Sequence, residues 1–118
     1  MIKVHGIVNC DTVRKARAWL DARGVDYEFV DLRKTPPSRA VLARWCGVLG
    51  WETVVNRRGT TWRRLDAADQ ARVVDAASAI EVLLAHPSAI KRPVVEIGDA
   101  VVAGFDPADW ECRFPPRR

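Results

Sequence analysis

The sequence predicts an α/β domain: one mixed four-stranded sheet with helices packed on it. Two observations carry that expectation. A short apolar run, a helical pattern and an alternating run follow one another within the first 32 residues, which reads as a right-handed βαβ unit with parallel strands. Near the other end, Val94 to Ile97 and Ala100 to Ala103 flank Gly98-Asp99, the pattern of an antiparallel hairpin with a two-residue turn. Between them the chain reads as helix and turn, so a parallel pair and a hairpin must share one sheet.

The chain has 118 residues, 48% of them hydrophobic and 29% charged, which suits a single folded domain. We expect that domain over residues 1–112, with a helical insertion at about 35–90 and a frayed tail over 113–118. No apolar run approaches the roughly 18 residues of a membrane span, and Lys3 leads straight into a strand pattern, so a cytoplasmic location is expected; a monomer is the expected oligomeric state. Net charge is +4, with arginines scattered apart from short pairs such as Arg57-Arg58 and Arg63-Arg64. That favours small anionic ligands over a nucleic-acid stripe.

In order along the chain, Ile2 to Val8 is read as a buried strand, with Gly6 hinting at a close backbone approach. A helix starts at Asp11 or Thr12, places Val13, Ala16, Trp19 and Leu20 on one face, and ends at Gly24 as a left-handed cap. Val25 to Leu32 alternates as a second strand. Thr35-Pro36-Pro37-Ser38 opens a helix, with a Thr or Ser cap and prolines in its first turn. Val41, Leu42, Trp45 and Leu49 form its inward stripe, and Gly50 closes it. Trp51 to Val55 is a further helical turn, Asn56 to Gly59 a polar turn, and Thr60-Thr61-Trp62 an extended piece. Another helix runs from Asp66 or Ala67 through Val73 and Val74. Ser78 to Glu81 fits a capping box for the next, which Pro87 stops. After the hairpin, Asp106-Pro107 caps and opens a short last helix near Trp110.

This succession is the thioredoxin-like arrangement, in which a functional cysteine lies between the first strand and the first helix. Cys10 stands there. Unpartnered backbone N–H groups at a helix start favour a thiolate. Asn9 and Thr12 are small polar neighbours able to donate hydrogen bonds, and Lys15 follows about a turn and a half on, while the charge of Asp11 opposes the effect. An inert buried thiol is the competing reading. Cys46 is read as core or helix-surface filler, and Cys112 lies near the tail. With no C-x-x-C and wide spacings, neither a disulfide framework nor a metal site is expected. His5 is read as a satisfied structural histidine, a base for Cys10 being the alternative, and Trp62 as a partly buried aromatic that could line a site.

Three stretches carry a resemblance: Gly6-Ile-Val-Asn-Cys-Asp-Thr-Val-Arg-Lys-Ala16 with Trp19-Leu20, then Asn56-Arg-Arg-Gly-Thr-Thr-Trp62, then Ile90-Lys-Arg-Pro-Val94. With these in this order the chain resembles the ArsC/Spx family, its YffB-like branch most of all. The resemblance implies a thioredoxin-like fold with a helical insertion, and a thiol-dependent reductase that uses glutathione as co-substrate with no tightly bound cofactor. Residue by residue it implies Cys10 as the reactive cysteine, Arg58 as the arginine of the Asn-x-Arg-Gly motif, and Arg92 as the arginine before a cis Pro93. Asn9, Thr12, Lys15, Arg58, Arg92 and Pro93 are thus the expected substrate or glutathione site around Cys10. The partner is an oxidised thiol or a small oxyanion. Arsenate reductases of the family carry a further arginine where this chain reads Val102-Ala-Gly-Phe105, and Spx regulators carry a second cysteine where it has Val13. Arsenate reduction by the same thiol, and a non-catalytic Spx-like interaction module, are the alternative readings.

Overall fold

The computed structural model describes residues 2–114. The chain divides into two compact units, Met1–Asp31 with Arg92–Arg118, and Leu32–Lys91.

The first unit holds the sheet. Strand β1 (Ile2–Gly6) leads to helix α1 (Asp11–Ala22) and strand β2 (Glu28–Asp31). Strands β3 (Val94–Ile97) and β4 (Ala100–Ala103) form the hairpin, with Gly98 at φ 59° in its turn. The sheet order is β2-β1-β3-β4. β1 is parallel to β2 and antiparallel to β3, with His5 opposite Val94 and Ile2 opposite Ile97. The expected mixed sheet and its element order are therefore both present.

One face of this sheet is covered from within the unit. Val4, Val95 and Val102 pack with Ala16 and Leu20 of α1 and with Trp110 of the last helix, Pro107–Arg113. Trp19, Phe105, Trp110 and Phe114 meet edge-on or tilted, at centroid distances of 4.8 to 6.3 Å. Phe114 was expected in the frayed tail but is 3% exposed, because burying its ring against Trp19 and Trp110 outweighs the entropy of freeing the chain end. The rest of that expected tail, 115–118, lies outside the described residues.

Both strands of the βαβ unit are shorter than the sequence predicts. Beyond Gly6, the Ile7 carbonyl accepts the Cys10 N–H (3.3 Å), so the chain leaves the ladder to turn. At the other end of α1, the Val25 N–H bonds the Leu20 carbonyl (3.1 Å), and β2 starts only once that turn is complete.

The second unit is helical. It comprises α2 (Arg39–Leu49), α3 (Trp51–Val54), α4 (Thr60–Arg63), α5 (Ala67–Ala71), α6 (Ala76–Ala85) and a 3₁₀ turn (Pro87–Ala89). Helix α2 packs on α3 and α6, burying Leu42, Trp45, Val54, Ala79 and Leu83 completely.

Four local expectations change here. Ser38 caps α2, its Oγ accepting the Val41 N–H, so Pro36 and Pro37 precede the cap instead of occupying the first turn. Thr60-Thr61-Trp62 is helical, not extended: the Arg63 N–H bonds the Gly59 carbonyl (3.2 Å) and the Arg64 N–H the Thr60 carbonyl (3.0 Å), and this local bonding overrides the β preference of these residues. Ser78 is the fourth-position member of a capping box whose cap is Asp75, one turn earlier than expected. The short α5 also ends before Val73 and Val74, leaving Val73 buried and Val74 exposed.

A candidate thiol site and a basic cleft

The thiol site is built at the end of β1. Gly6 is required there because a Cβ on it would lie 2.8 Å from Val13 Cγ2 and 3.0 Å from Cγ1. That close approach seats the first turn of α1 against the strand end. Cys10 is the residue before the helix, with extended backbone (φ −102°, ψ 124°), and its carbonyl accepts the Arg14 N–H at 2.9 Å. The side chain is half-buried.

Burial alone would push the Cys10 thiol up. The backbone N–H of Val13, the hydrogen bond and charge of Arg92, and the N–H of Thr12 outweigh it and hold the thiol below its ordinary value. The thiol makes no regular capping hydrogen bond. The Val13 and Thr12 amides stabilise the charged sulfur from the helix start. Arg92 is 82 residues away in sequence but close in the sheet. β3 runs antiparallel to β1 with Val94 opposite His5, so the entry to β3 lies where β1 leaves toward Cys10. The Arg92–Pro93 peptide bond is cis, as the resemblance implied, and Pro93 is buried with its carbonyl bonded to the Gly104 N–H at 2.8 Å.

The other expected site residues of this unit play smaller parts. Asn9 and Thr12 have exposed side chains, and only the Thr12 backbone acts on the thiol. Lys15 is exposed on α1, and its charge acts on Asp11. The Asp11 carboxylate is hydrogen-bonded by Arg14, which holds it below the usual carboxylate range and answers the charge that opposes the thiolate. Sequence reasoning missed the Val13 amide. Any residue type supplies an N–H, so its only signal is its place three residues after a helix cap.

His5 is 7% exposed, and its Nε2 lies 2.6 Å from Glu96 Oε1. Burial lowers its proton affinity more than the Glu96 hydrogen bond and charge raise it. The ring is neutral near pH 7 and donates Nε2–H to the carboxylate, which is the structural reading of this histidine. Cys112 is exposed on α7 (Pro107–Arg113).

In the second unit, Arg58 is exposed on the turn Asn56 to Gly59, which the Gly59 N–H closes onto the Asn56 carbonyl at 3.2 Å. It lines a polar cleft of about 430 Å³ together with Glu52, Thr53, Val55, Asn56, Arg57 and Lys91. Trp62 is half-buried on α4, and Cys46 is buried on α2, where burial pushes its thiol up. Cys46 is thus the inert type of thiol.

The ArsC family profile matches residues 5–112. The chain belongs to the ArsC family. Among solved structures, this ArsC-family chain is similar to the protein YffB, with 47% identity, TM-score 0.91, and 95% of this chain and 97% of that one covered. It is also similar to an arsenate reductase (ArsC) related protein from Brucella melitensis, with 44% identity, TM-score 0.76, and coverage of 97% and 94%. Among curated proteins it resembles the global transcriptional regulator Spx of Streptococcus mutans, 27% identical over 110 residues, covering 91% of this chain and 78% of the regulator. The α/β sheet and its helices are the thioredoxin-like fold of these relatives.

Proposed function

We propose that this ArsC-family protein is a glutathione-dependent thiol/disulfide reductase that works through the single nucleophile Cys10. The observation that carries the reading is the pairing of Cys10 with Arg92 at the start of α1, which favours the nucleophilic thiolate. The similarity to an arsenate reductase related protein supports redox chemistry at the thiol.

The reaction needs no second protein thiol. The Cys10 thiolate attacks the glutathione sulfur of a mixed disulfide, forming a Cys10–glutathione disulfide and releasing the substrate thiolate, which takes up a proton. A second glutathione thiolate attacks the glutathione sulfur of that intermediate, giving oxidised glutathione and restoring the Cys10 thiolate. Arg92 stabilises the thiolate as attacker and as leaving group. Arg58 is assigned to bind a ligand carboxylate or oxyanion with its planar fork. Buried Cys46 takes no part, and the cytoplasm, where thiols stay reduced, is the matching compartment.

The test is steady-state reduction of a glutathione mixed disulfide, with oxidised glutathione recycled by glutathione reductase. Turnover by the wild type and its loss in Cys10→Ser are expected. Turnover that survives Cys10→Ser sinks the reading. Running arsenate as the oxidant in parallel separates the family's arsenate chemistry from disulfide reduction.

A further inference from the structure

The polar cleft of the helical unit carries a pattern that an anion site alone does not need. Three cations, Arg57, Arg58 and Lys91, line it with one carboxylate, Glu52. Their formal sum is +2 (three positive, one negative), so the side chains repel one another until a ligand brings negative charge. The cations stand on fixed backbone. Val55 pairs with Ile90 in an antiparallel bridge, the Asn56 N–H bonds the Ala89 carbonyl and the Lys91 N–H bonds the Val54 carbonyl, both at 2.8 Å. Two neighbouring segments thus hold Arg57 and Lys91 in register before any ligand arrives.

Glu52 and Arg57 form the second feature of the cleft. They lie 3.8 Å apart, a loose pair with both partners open to water. Arg57 is also steadied by Trp51, whose ring centroid lies 5.0 Å from the guanidinium carbon. A carboxylate and a cation side by side are the complement of an α-amino-acid head, which carries an ammonium and a carboxylate on one carbon. Lys91 and Arg58 remain for a second carboxylate. The cleft volume, about 430 Å³, lies in the range of small-molecule sites.

We infer that this cleft binds a small peptide or amino-acid derivative with one ammonium and two carboxylates, Glu52 and Arg57 holding its zwitterionic head and Lys91 its far carboxylate. Glutathione has these three groups. Naming it as the occupant rests on the reductase reading, whereas the charge pattern does not.

Calorimetric titration with S-methylglutathione, whose blocked sulfur cannot react with Cys10, tests the site. Binding is expected in the wild type and in Cys10→Ser alike. Arg57→Ala and Lys91→Ala should each weaken it roughly three- to tenfold, the loss shrinking as salt is added. Glu52→Gln should weaken S-methylglutathione but not glutarate, which has two carboxylates and no ammonium. These side chains are exposed, so unchanged thermal unfolding confirms that each variant is folded. No binding at millimolar concentration, or binding indifferent to Arg57→Ala and Lys91→Ala, overturns the inference. Cleft binding without any Cys10-dependent turnover would leave it standing while the reductase reading fails; turnover without cleft binding would do the reverse.

Discussion

The Arg92 guanidinium hydrogen-bonds the Cys10 side chain across 82 positions of sequence, and its charge favours the thiolate. Arg92→Ala removes one charge-assisted hydrogen bond, of about 1.5–3 kcal/mol, and solvent screening at this partly open position puts the effect near the lower end. Cys10 alkylation should then shift its half-point to higher pH, and turnover at neutral pH should fall roughly tenfold. An alkylation profile unchanged from wild type would remove Arg92 from the site.

Gly6→Ala places a methyl 2.8 Å from Val13 Cγ2. Val13 must move, which costs about 1–3 kcal/mol by overpacking. Because the Val13 amide helps to lower the Cys10 thiol, the alkylation half-point should rise as well. Adding Val13→Ala opens the space and should recover most of both losses. Urea unfolding and alkylation kinetics on the single and double variants measure the two effects.

His5 titrates lower in the folded protein than in the unfolded chain because it is buried. At pH above the unfolded value of about 6.5 both states hold it neutral, and its contribution to stability is fully present. As pH falls below that value the unfolded state takes up the proton first, so stability declines toward the folded value. The urea midpoint should therefore drop as pH falls below about 6.5. His5→Gln should flatten that drop while lowering stability at pH 7 by about 1–3 kcal/mol, since Glu96 loses its 2.6 Å partner.

Phe114→Ala should cost about 3–5 kcal/mol, the usual range for a buried phenylalanine. An unchanged unfolding midpoint would mean that the ring contributes no packing.

Cys46→Ala with Cys112→Ser should leave Cys10-dependent turnover within about twofold, since one thiol is buried and the other is exposed on the last helix. A large loss would point to an internal resolving thiol.

Several features were legible because their causes are local. The helix after Cys10 follows from apolar spacing and Gly24, the hairpin from Gly98-Asp99 between β-branched runs, and the last helix from Asp106-Pro107. Errors arose where neighbours decided between local options. Asp75 displaced Ser78 as cap because its carboxylate reaches the Ser78 N–H, and Trp62 is helical because the Arg63 and Arg64 N–H groups close a turn onto the Gly59 and Thr60 carbonyls.

The sequence by itself determined the order of strands and helices, the family, and Cys10 as the thiol at a helix start, because periodicity, turn chemistry and motif are written in adjacent residues. Only the tertiary structure decided which groups act on that thiol. Arg92 acts on Cys10, and Glu96 meets His5 from 91 residues away, because β3 pairs antiparallel with β1. That pairing follows from burying one shared apolar face. No short stretch of sequence encodes it.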